Sequence, residues 1–124
     1  MKTVTAGDDL PIRCDINWTI EALQNIIKNC YEHMDVGGAL KIETEDTNLF
    51  SRIKITDSGC GISEADLPHI FERFYKGKNA GKDSVGIGLA LSKAVMESQR
   101  GDILVKSQEG VGTEFDVRFY KTII

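Results

Sequence analysis

The sequence predicts an α+β fold, a two-layer α/β sandwich with a mixed, mostly antiparallel sheet and helices packed on one face. Three observations predict it. Residues 39–45 with 50–57, and 103–107 with 113–119, are alternating segments joined by short turns, and each pair reads as a hairpin. Two longer segments repeat apolar residues every third or fourth position, the period of a helix with one buried face. The order that results, strand, helix, two strands, helix, loop, helix, two strands, mixes the two kinds of element instead of segregating them. A chain of 124 residues is read as one domain, 1–124, burying roughly two-thirds of the surface of its unfolded form.

Composition narrows the function classes. Hydrophobic residues make up 41% and charged residues 27%, which excludes disorder. No apolar run reaches the roughly 20 residues a bilayer span needs, and Met1-Lys2-Thr3-Val4 lacks the apolar core of a signal peptide, so the chain reads as soluble and cytoplasmic in type, without direct membrane insertion. A net charge of −4 argues against a general nucleic-acid surface. Cys14, Cys30 and Cys60 are odd in number and widely spaced, with no ligand spacing to a histidine; they read as small thiols rather than metal ligands.

In chain order, Met1 to Leu10 is a polar lead-in expected to lie loosely on the domain, and Ile12 to Ile16 alternates as a short edge strand. Thr19 is expected to open a helix whose stripe Ile20, Leu23, Ile27, Cys30, Tyr31 and Met34 faces the core, ending near Asp35-Val36-Gly37-Gly38. A second stripe on the same helix carries Glu21, Asn25 and Asn29, then Glu32 with His33. Asparagine is a mediocre helix former, so two of them one turn apart want a reason. A solvated face is one; a row of amide oxygens aimed at a hard cation or polar ligand is the other.

The first hairpin turns at Asp46-Thr47-Asn48. On its second strand Ile53, Ile55 and Asp57 share parity, which sends a carboxylate to the apolar face. Such a group needs hydrogen-bond donors. Backbone N–H groups of the turn Ser58-Gly59-Cys60-Gly61 can supply them, a ligand carrying an N–H donor can, or both together. Ser63-Glu64-Ala65-Asp66 has the form of a capping box before a short helix through Leu67 and Ile70, with His69 in a surface or packing role. Arg73, Lys76, Lys78 and Lys82 form a basic cluster in a glycine-rich loop that leads into Gly86-Ile87-Gly88-Leu89, where a helix start offers unpaired N–H groups to an anion. That helix ends near Glu97 to Arg100, Gly101 turns the chain, and Phe115, Val117 and Phe119 share one face of the final strand.

Together these stretches resemble the catalytic ATP-binding domain of bacterial sensor histidine kinases, over nearly the whole chain. Asn25-Ile26-Ile27-Lys28-Asn29 is similar to the family's N box, Asp57-Ser58-Gly59-Cys60-Gly61-Ile62 to its first glycine box, and Phe71-Glu72-Arg73-Phe74 to its F box. Gly86-Ile87-Gly88-Leu89 is similar to the second glycine box and Gly110-Val111-Gly112-Thr113 to a final one. The resemblance implies the histidine-kinase/gyrase-type ATP-binding fold, with a mobile lid at about residues 71–85, and it implies ATP and Mg²⁺ as cofactors. It makes Asn29 the metal ligand, with Asn25 lining the same site, and Asp57 the acceptor for the exocyclic amine of adenine. Gly59 and Gly61 admit the base, Ile62 packs on it, Thr113 holds Asp57 or the base, and His33 stands beside the nucleotide. Tyr75, Lys76 and Lys78 are implied as lid residues on ribose and phosphates, Arg73 and Lys76 as catalytic groups at the γ-phosphate, and Gly86, Gly88 and Leu89 as the phosphate-side helix start.

The implied activity is that of a protein histidine kinase in two-component signal transduction. The γ-phosphoryl group would pass to a histidine on a dimerisation hairpin that is expected to be absent from this chain, as are sensor domains, and a response regulator would be an indirect partner. The full-length protein would be anchored in the cell membrane. Gyrase- and heat-shock-type ATPases share the fold but carry a water-activating glutamate where Asn25 stands, a poor base. A non-catalytic nucleotide-binding regulatory module and an anti-sigma-type serine kinase are the alternative readings. Ser84, where the family often has glycine, and Glu32, where a basic residue is common, depart from the pattern at the lid and phosphates.

Overall fold

The computed structural model describes residues 2–6, 14–34, 38–73 and 88–121. Its elements are β1 (Lys2–Ala6), α1 (Ile16–Glu32), β2 (Ala39–Asp46), β3 (Phe50–Asp57), α2 (Gly88–Ser98), β4 (Gly101–Gln108) and β5 (Gly112–Tyr120), with a 3₁₀ turn at Leu67–His69. The five strands form one sheet in the order β1-β2-β3-β5-β4. Only β1 with β2 is parallel; the other neighbours run antiparallel, so the sheet is mixed and mostly antiparallel as expected.

Strand register stacks the inward side chains in rows. Ile42, Ile55, Phe115 and Val105 form one row, and Thr44, Ile53, Val117 and Ile103 the next. These rows meet Ile26 and Cys30 of α1 and Met96 of α2 in a single core cluster. α1 and α2 are locked together by Ser92, wholly buried, whose hydroxyl donates to the Ala22 carbonyl at 2.8 Å and the Gly88 carbonyl at 3.1 Å. At their far ends Gln99 Nε2 donates to Thr19 Oγ1 at 3.0 Å. Lys93 fastens α2 to the edge strand, 2.6 Å from Asp102 Oδ1, and its ammonium also sits 5.1 Å from the centroid of the Phe71 ring. Desolvation pushes the Asp102 carboxyl up, but the Lys93 ammonium and the Ile103 N–H outweigh it and hold it below its usual value.

Several expectations are corrected. The strand foreseen at Ile12 to Ile16 is not one where it is described: Cys14 is a bend, and Asp15 caps α1 by accepting from Trp18 N–H at 3.1 Å, so Ile16 is already helical. Ile12 and Arg13 lie outside the described residues. The first strand instead comes from the lead-in, Lys2–Ala6. Thr19 does not open the helix but sits inside it, 6% exposed. α1 is also rotated from the expected stripe. Thr19, Ala22, Ile26 and Cys30 face inward, while Ile20 and Tyr31 are 48% and 53% exposed. α1 ends at Glu32 with His33 as C-cap. After α2 the left-handed residue is Arg100, at φ 59°, and Gly101 already begins β4. Ser63 Oγ accepts from Asp66 N–H at 3.2 Å as a cap should, but the turn it starts is 3₁₀ rather than a longer helix. Among the described residues no helix is long and apolar enough to cross a membrane.

Candidate functional site

The inward rows end in a polar one. Leu40, Asp57, Thr113 and Ser107 stand side by side across β2, β3, β5 and β4, closing the apolar face at the end where β3 gives way to the glycine-rich turn. Asp57 is 4% exposed, on the side of the sheet that parity assigns it. Its Oδ1 accepts from Gly59 N–H at 2.9 Å and from Thr113 N–H at 3.3 Å. The turn therefore supplies a donor to its own aspartate, as one of the two sequence readings held. Beneath it lies Cys30, wholly buried. Burial first, then the charge of Asp57 and a thiol hydrogen bond to it, push the Cys30 thiol far above its ordinary range, so it remains S–H beside the carboxylate. Among the described residues no cation pairs with Asp57.

The turn itself is fastened on every side. Ser58 N–H donates to Ala39 O at 3.0 Å, and Ser58 Oγ accepts from Ala39 N–H at 2.8 Å. Cys60 N–H donates to His33 O, at the end of α1, at 2.9 Å; Gly110 N–H donates to Cys60 O at 2.7 Å. Ile62 N–H donates to Ser107 Oγ at 2.7 Å. These close approaches explain both glycines. A Cβ on Gly59 would overlap the His33 carbonyl oxygen, and one on Gly61 would overlap the Gln108 carbonyl, with Gly61 itself at φ 75°. His33 is half-buried, its Nδ1 4.0 Å from Cys60 Sγ.

A second group gathers where α1 meets the start of α2. Asn25 and Asn29 are half-buried, one turn apart, unlike the exposed Glu21 and Glu32 of the same stripe. Gly88, the first residue of α2, faces Asn25: a Cβ there would lie 3.6 Å from Asn25 Cβ and 3.7 Å from its Oδ1, in ordinary contact. Leu89, next along, packs against the core cluster. The donors in this corner are amide oxygens; among the described residues no group of three or more His, Cys, Asp or Glu could hold a metal ion. Ile62 is half-buried and Arg73 is exposed at the edge of the described residues. Tyr75, Lys76, Lys78, Ser84 and Gly86, with most of the expected lid, lie outside them. A shallow groove of about 520 Å³ is lined by Lys41, Thr56, Lys106 and Glu114 and also by Asp57, Ser107 and Thr113, so it borders the polar row, while Asn25, Asn29 and Gly88 do not line it.

Ser107 is the residue of this site that the sequence reading missed. It shares parity with the inward Ile103 and Val105, the same rule that singled out Asp57.

Known proteins match this arrangement. Residues 14–123 match the family model described as histidine kinase-, DNA gyrase B-, and HSP90-like ATPase. The sensor histidine kinase YvrG of Bacillus subtilis is 31% identical over 121 residues, covering 95% of this chain and 21% of that protein. The heme sensor protein HssS of Staphylococcus saprophyticus is 38% identical over 101 residues, covering 82% and 22%. The chain thus spans about a fifth of the length of these curated relatives. Among solved structures, the catalytic domain of histidine kinase ThkA superposes with a TM-score of 0.82 at 25% identity, covering 98% of this chain and 81% of that one. The mycobacterial sensor histidine kinase MprB superposes at 0.87 with 22% identity, covering 96% and 82%, a likeness of fold.

Proposed function

Since the chain belongs to the histidine kinase-, DNA gyrase B-, and HSP90-like ATPase family, we propose that it binds Mg-ATP and donates the γ-phosphoryl group to a histidine on a separate dimerisation hairpin of a sensor histidine kinase. The observation that carries the reading is Asp57, a buried carboxylate held by backbone N–H groups and a thiol, with no cation paired to it among the described residues, one rung from the sheet's open end. Such a group suits a ligand N–H donor, and the exocyclic amine of adenine is one; a guanine carbonyl at the same place would meet its charge unfavourably. Ile62 and the Gly59-Cys60-Gly61 backbone would border the base, with His33 at its side and Thr113 on the neighbouring strand.

The triphosphate would run toward Asn25, Asn29 and the start of α2 at Gly88 and Leu89, where helix N–H groups favour an anion. The amide oxygens there fit Mg²⁺ that arrives with the nucleotide, since this ion commonly keeps waters and phosphate oxygens as most of its ligands. When bound, Mg²⁺ offsets the charge that builds on the phosphates. Arg73, Tyr75, Lys76, Lys78 and Gly86 are assigned to the lid and phosphates on the motif order alone. In the transfer, the acceptor imidazole nitrogen forms the bond to phosphorus as the bond to the bridging oxygen breaks, and ADP leaves with that electron pair. Asn25 is no general base, which supports transfer to a protein nucleophile over hydrolysis.

The test supplies this chain with Mg-ATP and its cognate helical hairpin. Acid-labile, base-stable phosphohistidine on the hairpin is the expected product. Tight ATP binding with no phosphohistidine would overturn the kinase reading and leave a nucleotide-binding module. A response regulator receiving the group next, and a membrane anchor on the full-length protein, belong to the same proposal.

A further inference from the structure

Ser107 occupies the last inward position of β4 and touches both walls of the site. Its hydroxyl accepts from Ile62 N–H at 2.7 Å, lies 3.0 Å from the Gly112 carbonyl and 2.9 Å from Thr113 Oγ1. A hydroxyl has one proton and two lone pairs. Ile62 N–H takes one lone pair. The Gly112 carbonyl can only accept, so it takes the Ser107 proton. What remains on Ser107 is a lone pair, and Thr113 Oγ1 must donate to it. The Thr113 proton is therefore directed along the row toward β4, and the lone pairs of Thr113 are left on the side of Asp57, its direct register partner.

We infer that Ser107 is a positioning residue that fixes the hydrogen-bond polarity of Thr113, so that the end of the sheet presents two acceptors, Asp57 and Thr113, to a purine edge. The inference rests on the nucleotide reading above and sharpens it. Two adjacent acceptors match an exocyclic amine, which brings two N–H groups, and reject a carbonyl at the same ring position. Without Ser107 the Thr113 hydroxyl is free to rotate and donate, and a 6-carbonyl purine becomes tolerable. Neither residue needs to move for this; only a proton changes place.

The experiment measures the affinities of ATP and ITP, which differ at that amine, for the wild-type chain, Ser107→Ala, Thr113→Val, the double variant and Asp57→Asn, with folding followed by circular dichroism. Ser107→Ala is expected to shrink the ATP-over-ITP preference about tenfold, the scale of one hydrogen bond gained or lost at a buried site. In the Thr113→Val background the same substitution is expected to change the preference no further. Ser107→Cys, close in size and a weak donor, should fall between, and it carries the test if Ser107→Ala does not fold. An unchanged preference in Ser107→Ala, or an equal loss of both nucleotides that adds to that of Thr113→Val, overturns the inference. If instead the wild type prefers neither nucleotide and Asp57→Asn matches it, the adenine reading itself has failed.

Discussion

Asp57 and Asp116 are buried carboxylates on opposite faces of one sheet, 4% and 7% exposed, and they are held in opposite ways. Asp116 is surrounded by cations. Its Oδ2 accepts from Arg118 Nε at 3.2 Å and Nη2 at 3.0 Å, and Arg52 Nη1 lies 3.5 Å away. Both guanidiniums in turn sit over the Phe50 ring, at 4.5 and 5.8 Å from its centroid. The Asp116 charge is answered within the protein and its role is architectural. Asp57 is answered by N–H dipoles and a thiol, which satisfy lone pairs without neutralising the charge. The contrast separates a carboxylate that holds a face together from one that remains able to attract a donor from outside.

Substituting each aspartate tests the contrast most directly. Asp57→Asn is expected to lower ATP affinity by about 100-fold or more, the effect of reversing a buried charged acceptor, with a melting temperature near that of the wild type. Asp116→Ala should do the reverse: ATP affinity unchanged in calorimetry, and a loss of about 2 kcal/mol in denaturant unfolding because two guanidiniums lose their shared partner. If both variants lose affinity and stability in proportion, the two carboxylates are not different in kind.

A smaller effect belongs to the phosphate side. Asn29→Ala is expected to weaken Mg-ATP about tenfold and leave free adenosine nearly unaffected; equal losses for the two ligands would make the residue structural. Asp102 adds a pH dependence. Its folded carboxyl is held below the unfolded value of about 3.9, so its contribution is complete above that pH and is lost as pH falls through the lower folded value. The melting temperatures of wild type and Asp102→Asn should therefore differ by a constant amount above about pH 5 and converge in stronger acid. A gap that widens on acidification contradicts the Lys93 pairing. The smallest effect is expected on the open face, where Lys54 and Glu114 are 3.3 Å apart: Lys54→Met should change stability by no more than about 0.5 kcal/mol.

What could be read from the sequence divides along physical lines. Strand parity has a period of exactly two residues, so Asp57 was legible, and so was the face shared by Phe115, Val117 and Phe119. Ser107 obeyed the same rule and was passed over because a serine on a strand looks ordinary until its three neighbours are known. Helix rotation was less legible. Counting large apolar residues put Ile20 and Tyr31 inward, but the close approach of α1 and α2 favours small residues, and Thr19 and Ala22 occupy the interface. β1 was missed because Lys2-Thr3-Val4-Thr5-Ala6 has little apolar pattern of its own; its strand character comes from pairing with β2, far along the chain. The resemblance gives the glycines of the first turn to ligand access, and the carbonyls of His33 and Gln108 require them independently of any ligand.

The polar row that ends the sheet also bears on how the chain finds its alignment. A slip of one residue between β3 and β5 would turn every apolar side chain outward, and alternation alone forbids it. A slip of two residues keeps the faces correct, and alternation is blind to it. Such a slip would set Asp57 opposite Phe115, away from Thr113 N–H and among apolar neighbours, at a desolvation cost of several kcal/mol. The carboxylate proposed to read the ligand thus also acts as a key for strand alignment, and a neutral apolar residue in its place would leave β3 and β5 free to mispair.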